Sequence, residues 1–297
     1  MAARIIDGKA LASLIRSEWS QKAKRFAENT GRPPGLAVVL VGKDPASLSY
    51  VRGKHRAAAE MGIFSRDLKL PAEARQQDLE SLIDQLNVDE AIDAILVQLP
   101  LPAQLDADPL LERILPEKDA DGFHPTNLGR MLLGQACPLP CTPAGIVEML
   151  RRSGVNPRGQ HTVIVGRSRT VGRPLANMLS AKGEGADATV TLCHSATANL
   201  AEHCRRADIL VAAAGQPRFI TAGMVKPGAT VIDVGIHRIG STASGKPKLC
   251  GDVDFEEVCK VAGAISPVPG GVGPMTIAML MRNTVLAATR GTATRGT

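Results

Sequence analysis

The chain has 297 residues, 44% of them hydrophobic and 22% charged, ordinary values for a globular protein of about two domains, which exclude a disordered, fibrous or disulfide-stapled class. Its net charge of +6 comes from Lys and Arg dispersed along the chain and not interleaved with aromatics (one Trp, one Tyr, five Phe), so nucleic acid is excluded and small anionic partners are favoured. No apolar run approaches the roughly 18 residues of a membrane span. The opening MAARIIDGKALASLIRSEW lacks the apolar core of a secretory signal, and six cysteines (Cys137, Cys141, Cys193, Cys204, Cys250, Cys259) show no CxxC pairing; the expectation is a cytoplasmic protein with no membrane association and no metal.

In chain order, the pattern predicts a helix over Gly8–Asn29, an apolar strand Leu36–Val41 and a helix Ser47–Met61 that ends at Gly62. A short strand near Arg66–Leu70, a helix Gln77–Leu86 and a strand Asp93–Gln98 follow. Continuous Val/Ile/Leu strands separated by helices read as a parallel sheet covered on both faces, whose functional residues gather at the strands' C-terminal ends. Pro116–Pro143, punctuated by proline, glycine and asparagine, marks a domain boundary ahead of a helix at Ala144–Ser153. The alternation then restarts with strand Thr162–Val165, helix Arg173–Lys182, strand Ala188–Cys193, helix Asn199–Arg206 and strands Asp208–Ala213 and Thr230–Val234, the pattern of a dinucleotide-binding fold. Gly270–Pro274 reads as a loop and Met275–Ala288 as a helix able to pack back onto the first domain. Residues 289–297 have no apolar face and read as a disordered tail.

Strand Thr162–Val165 runs into Gly166-Arg167-Ser168-Arg169-Thr170-Val171-Gly172-Arg173-Pro174 and then a helix. A glycine turn opening onto a helix N-terminus offers N–H groups and a positive dipole end to a pyrophosphate, and Pro174 suits a first helical turn. The spacing is not GxGxxG, and such a glycine pair is also found in plain tight turns. The next strand ends in Cys193-His194-Ser195 without the carboxylate that holds a ribose hydroxyl, while Arg167 sits in the turn. That arrangement accepts a 2′-phosphate and implies NADP; an exposed arginine beside a strand end is the competing reading.

In the first domain, Tyr50 and Lys54 lie four residues apart on a predicted helix and so share a face. Taken alone, such a pair is more commonly a solvated surface pair than a site. Gln98 ends the strand in Val97-Gln98-Leu99-Pro100, where an amide is placed to orient a lysine. Asp121 lies in the loop Lys118-Asp119-Ala120-Asp121-Gly122-Phe123, suited to gripping ring N–H groups, and Pro269–Thr276 is too glycine-dense for an ordinary linker.

With these segments the chain resembles the bifunctional methylenetetrahydrofolate dehydrogenase/cyclohydrolase family. The resemblance rests on Ser47–Lys54, Val97–Pro102, Lys118–Gly122, Cys141–Gly145, Gly166–Ser168 with Val171-Gly172, and Pro269–Thr276, in the family's order from near residue 4 to about 288. It implies two α/β domains with a substrate cleft between them, the second a Rossmann-type dinucleotide-binding domain: residues 1–140 for folate, with helix 275–288 packed onto them, and 141–274 for NADP. It also implies that Lys54 is the acid/base group, Tyr50 packs beside the folate ring, Gln98 orients Lys54 and Asp121 anchors the pterin, with Leu99, Pro269, Gly270 and Gly273 completing the substrate site. Arg167 and Ser195 would contact the 2′-phosphate, and Gly166, Ser168, Val171, Gly172 and Ile236 would line the cofactor. A homodimer is implied as well. Arg173 before Pro174 and the long Gly183–Asp187 stretch depart slightly from the family pattern.

The implied activity is NADP-dependent oxidation of 5,10-methylenetetrahydrofolate followed by hydrolysis to 10-formyltetrahydrofolate. The first step needs alignment; the second needs proton transfer, for which a lysine of ordinary pKa, about 10.4, must be tuned downward. No GxxxxGK[ST] loop is present, so ATP chemistry is not expected. An amino-acid or shikimate-type dehydrogenase and a non-catalytic NADP-binding regulator are the competing readings, and the Tyr50/Lys54/Gln98/Asp121 set argues against both.

Overall fold

The computed structural model describes residues 2–43, 45–241 and 247–295. The chain forms two compact α/β units: Ser13–Cys141 together with the chain from Ile277 onward, and the chain up to Ala12 together with Thr142–Thr276.

The unit containing Ser13–Cys141 is built on three parallel strands in the order Phe64–Leu70, Gly35–Val41, Ala94–Val97. Every residue of the central strand GLAVVLV is buried, as expected of a strand covered on both faces. Ala37, Val39 and Val41 pack with Ile95 and Val97 against Leu79, Ile83 and Leu86 of helix Gln76–Val88, and against Leu110 and Ile114. Each fully buried Val, Leu or Ile among them contributes roughly 1.5–3 kcal/mol. Helix Pro45–Glu60 connects the central strand to its neighbour.

Pro116–Pro143, expected as punctuation, holds a helix over Pro125–Leu132. Pro125 stands where its missing N–H costs nothing, His124 Nδ1 accepts from Thr126 N (3.1 Å), and Gly134 takes a positive φ after the last turn, so the residues read as breakers are this helix's two ends.

The second unit carries a six-stranded parallel sheet in the order Arg4–Ile5, Ala264–Ile265, Thr230–Asp233, Ile209–Ala212, His161–Val165, Thr189–Cys193. From the strand His161–Val165 the chain moves to one side, into Thr189–Cys193, then returns to the other side at Ile209–Ala212. That reversal is the switch point at which doubly wound sheets open a crevice outside their strands' carboxyl ends. Val163, Val165, Leu210, Ala212 and Val231 form the core beneath it.

Two expectations about the boundary are corrected. The N-terminal segment belongs to the dinucleotide-type unit and not to the first domain, because Arg4 and Ile5 pair with Ala264 and Ile265. A terminal helix expected at 275–288 runs from Val272 to Arg295, so most of the stretch read as a disordered tail is helical, while 296–297 lie outside the described residues. Pro274 falls in its first turn, where proline is tolerated. An antiparallel hairpin, His237–Ser241 with Pro247–Cys250, also went unanticipated. Among the described residues no helix is long and apolar enough to cross a membrane.

Candidate active site

Gln98 extends the strand Ala94–Val97 by one bond, its N–H donating to Val39 O (2.8 Å), which sets its amide at the carboxyl end of the sheet. On helix Pro45–Glu60, Lys54 is 7% exposed and its Nζ donates to Gln98 Oε1 at 2.9 Å. Gln98 in turn donates through Nε2 to Leu99 O (2.6 Å), which fixes the amide's orientation and leaves Oε1 facing the lysine. A solvated surface pair would leave Nζ in water; this one is enclosed. Tyr50, one turn earlier, is half-buried, and burial raises its phenol pKa.

Asp121 sits in a loop held from below. Asp119, buried, accepts from Gly122 N (2.9 Å), His124 N (2.8 Å) and Asn127 Nδ2 (3.0 Å). Lys118 donates to Leu86 O and Asp89 O (3.0 and 2.9 Å), satisfying carbonyls left open at the C-terminal end of helix Gln76–Val88. Gly122 has φ 74°, and a Cβ there would overlap the Leu139 backbone.

The Asp121 carboxyl is itself enclosed although the residue is partly exposed. Burial pushes it up to about 6, the Lys54 charge pulling it down and Asp119 adding to the rise, with the Cys141 thiol, which donates to Ala120 O (3.4 Å), beside it. Cys141 is raised well above the ordinary thiol range by the same burial, so it acts as a neutral donor. Asn283, from the terminal helix, donates through Nδ2 to Ala120 O (3.0 Å) and Leu139 O (2.9 Å) and touches Cys141 Sγ (3.5 Å).

Tyr50, Lys54, Gln98, Leu99 and Asp121 therefore share one unit. Pro269, Gly270 and Gly273 belong to the other, Gly270 at φ 109° and Gly273 in the first turn of the terminal helix. Asp119, Cys141 and Asn283 were missed by sequence reasoning. For Asn283 a signal existed, a lone amide in the apolar run Thr276–Ala288 that must find buried partners.

In the dinucleotide-type unit, Gly166 lies at φ 127° and a Cβ there would overlap Ala213 O; one on Gly172 would overlap Gly166 O. These are the tight-turn and helix-to-strand packing roles of the first and third glycines of a dinucleotide fingerprint. Ser168 takes the middle place, its Oγ accepting from Val171 N (3.0 Å) and Gly172 N (3.4 Å). Strands His161–Val165 and Thr189–Cys193 pair with Val165 opposite Cys193. Arg167 and Ser195, each two residues further on, thus leave the sheet at the same level, both exposed and neither bonded through its side chain to a described residue. Ile236 is 48% exposed beyond the strand Thr230–Asp233. A hollow of about 610 Å³, lined in part by Arg158, Lys182 and Glu184, lies at the opposite, N-terminal edge of these strands.

A doubly wound nucleotide unit and a second α/β unit with an enclosed, amide-oriented lysine define a dinucleotide-dependent oxidoreductase architecture. More narrowly, the chain belongs to the tetrahydrofolate dehydrogenase/cyclohydrolase family: residues 6–121 match its catalytic domain and 140–292 its NAD(P)-binding domain. It is 57% identical over 290 residues to a bifunctional protein FolD of Dehalococcoides mccartyi (strain CBDB1), covering 98% of both chains. Among solved structures, the bifunctional enzyme FolD, a methylenetetrahydrofolate dehydrogenase/cyclohydrolase from Campylobacter jejuni, superposes with TM-score 0.91 at 45% identity, over 98% of this chain and 100% of that one. The Trypanosoma brucei methylenetetrahydrofolate dehydrogenase-cyclohydrolase, complexed with NADP and an inhibitor, gives 0.92 at 40% identity, over 98% and 99%.

Proposed function

We propose that this protein oxidises 5,10-methylenetetrahydrofolate to the 5,10-methenyl cation with NADP⁺ and then hydrolyses the cation to 10-formyltetrahydrofolate. The observation that carries the reading is the enclosed Lys54 Nζ bonded to Gln98 within the unit that holds Asp121. NADP⁺, when bound, supplies the hydride acceptor. Arg167 and Ser195 would hold its 2′-phosphate, and the Gly166–Gly172 turn its pyrophosphate.

The folate nitrogens stabilise the cation left by hydride loss, so the protein's part in the first step is alignment. Asp121 accepts from the pterin N–H groups, and Tyr50 lies against the ring. Hydrolysis needs a proton carrier. Lys54, as the neutral amine, takes the proton from the attacking water and then, as the ammonium, returns it to the departing ring nitrogen, while Gln98 orients Nζ. The homodimer and the cytoplasmic location implied by the family resemblance belong to the same reading.

The test follows NADPH absorbance on adding 5,10-methylenetetrahydrofolate, then the loss of methenyl absorbance without dinucleotide. Both signals are expected. Absence of folate-dependent reduction of NADP⁺ and NAD⁺ alike refutes the dehydrogenase assignment, and a methenyl decay no faster than in buffer refutes the cyclohydrolase.

A further inference from the structure

The dinucleotide-type unit contains a buried polar cluster that the reaction just described leaves unused. Asp252 is fully buried; its Oδ2 accepts from Gly215 N (2.9 Å) and its Oδ1 pairs with His237 Nε2 at 2.7 Å. Asp233, equally enclosed, accepts from Asp252 N (2.8 Å), Val253 N (3.0 Å) and Gly235 N (3.1 Å). The packing is close: a Cβ on Gly235 would overlap Asp252, and one on Gly251 would overlap the Asp233 carboxyl. Burial pushes Asp233 up to about 7, against its backbone donors and with the push of the Asp252 charge.

The segments tied together are those leaving the carboxyl ends of two adjacent central strands. Gly215 lies in the loop after Ile209–Ala212, whose next residue, Ala213, bonds to Val165 O (2.8 Å) and fills the space beside Gly166. His237 ends the segment after Thr230–Asp233, directly behind the exposed Ile236. We infer that His237, acting through Asp252, is a positioning residue for the dinucleotide: it holds the Gly215 loop and the Ile236 segment at the switch-point crevice without itself touching the ligand. Removing the imidazole strands a buried carboxylate oxygen, and the cheapest relief is movement of those two exposed segments toward water.

This inference rests on the dinucleotide reading above. Its test titrates NADPH by fluorescence into wild type, His237→Ala and His237→Gln, since the glutamine amide can still donate to Asp252 Oδ1, and measures dinucleotide-free methenyl hydrolysis in all three. His237→Ala should bind NADPH about 10-fold more weakly, the size of one charge-assisted hydrogen bond. His237→Gln should stay within about 3-fold of wild type, and hydrolysis should be unchanged in both variants. Wild type failing to bind NADPH would overturn the dinucleotide reading itself. Wild type binding with His237→Ala unaltered, both variants equally impaired, or hydrolysis falling in parallel would each overturn the positioning role alone.

Discussion

Asp121→Asn separates stability from binding, because the carboxyl that is proposed to grip the pterin is costly to the free protein. Its pKa stands at about 6 against an ordinary 3.8, which corresponds to roughly 3 kcal/mol. Partial exposure of the residue trims the expected effect to about 2 kcal/mol. A carboxyl raised in the folded state binds more protons than in the unfolded chain between about pH 4 and pH 6. Stability is therefore intact below pH 4, falls as pH rises through 6, and stays lowered above. Asparagine has nearly the same shape and carries no charge, so the variant should match wild type near pH 4 and exceed it by about 2 kcal/mol at pH 7.5. Folate binding should move the other way, since a charge-assisted acceptor is replaced by a group that also presents a donor. NADP binding should be unaffected. Denaturant unfolding of the ligand-free protein at the two pH values, with calorimetric titration of a tetrahydrofolate analogue, measures both. Equal stability at both pH values, or a less stable variant at pH 7.5, would refute the electrostatic argument; wild-type folate affinity would remove Asp121 from the site.

Lys54→Met should depress methenyl hydrolysis by about 10²- to 10⁴-fold, with a smaller and less uniform loss of dehydrogenase activity and folate binding retained; unchanged hydrolysis would take Lys54 out of its role. Arg167→Ala should weaken NADP binding by roughly 10- to 150-fold and NAD use much less, and equal losses in kcat/KM for the two cofactors would mean that the side chain supports the loop and does not read the phosphate. Gly122→Ala should destabilise the protein by more than about 1 kcal/mol, since the new Cβ adds an overlap with Leu139 to the strain of a positive φ, and should raise KM for folate; wild-type stability in denaturant would contradict the geometry.

Local features of this protein were legible from its sequence. The sole tyrosine and Lys54 share a face because helical spacing dictates it, Gln98 ends a strand because the apolar run stops there, and Gly166 and Gly172 bracket a turn that leaves no room for side chains. The parallel α/β class followed from uninterrupted apolar strands alternating with helices. Tertiary structure alone decided the rest. Whether Lys54 was a solvated surface group or an enclosed one turned on Gln98, 44 residues away, reaching its Nζ. Asp119 and Asp121 look alike in the sequence, yet one is saturated by backbone and amide donors and the other is left with its carboxyl facing a thiol and a lysine. The N-terminal strand is two residues long and pairs with Ala264 and Ile265, so no periodicity reveals which unit it joins. Residues past Ala288 remain helical because the helix is already nucleated and propagation costs little, whereas the same polar stretch in isolation would not form one. Spacing carries information about neighbours in the chain; burial and hydrogen-bond partners depend on segments that meet only after folding.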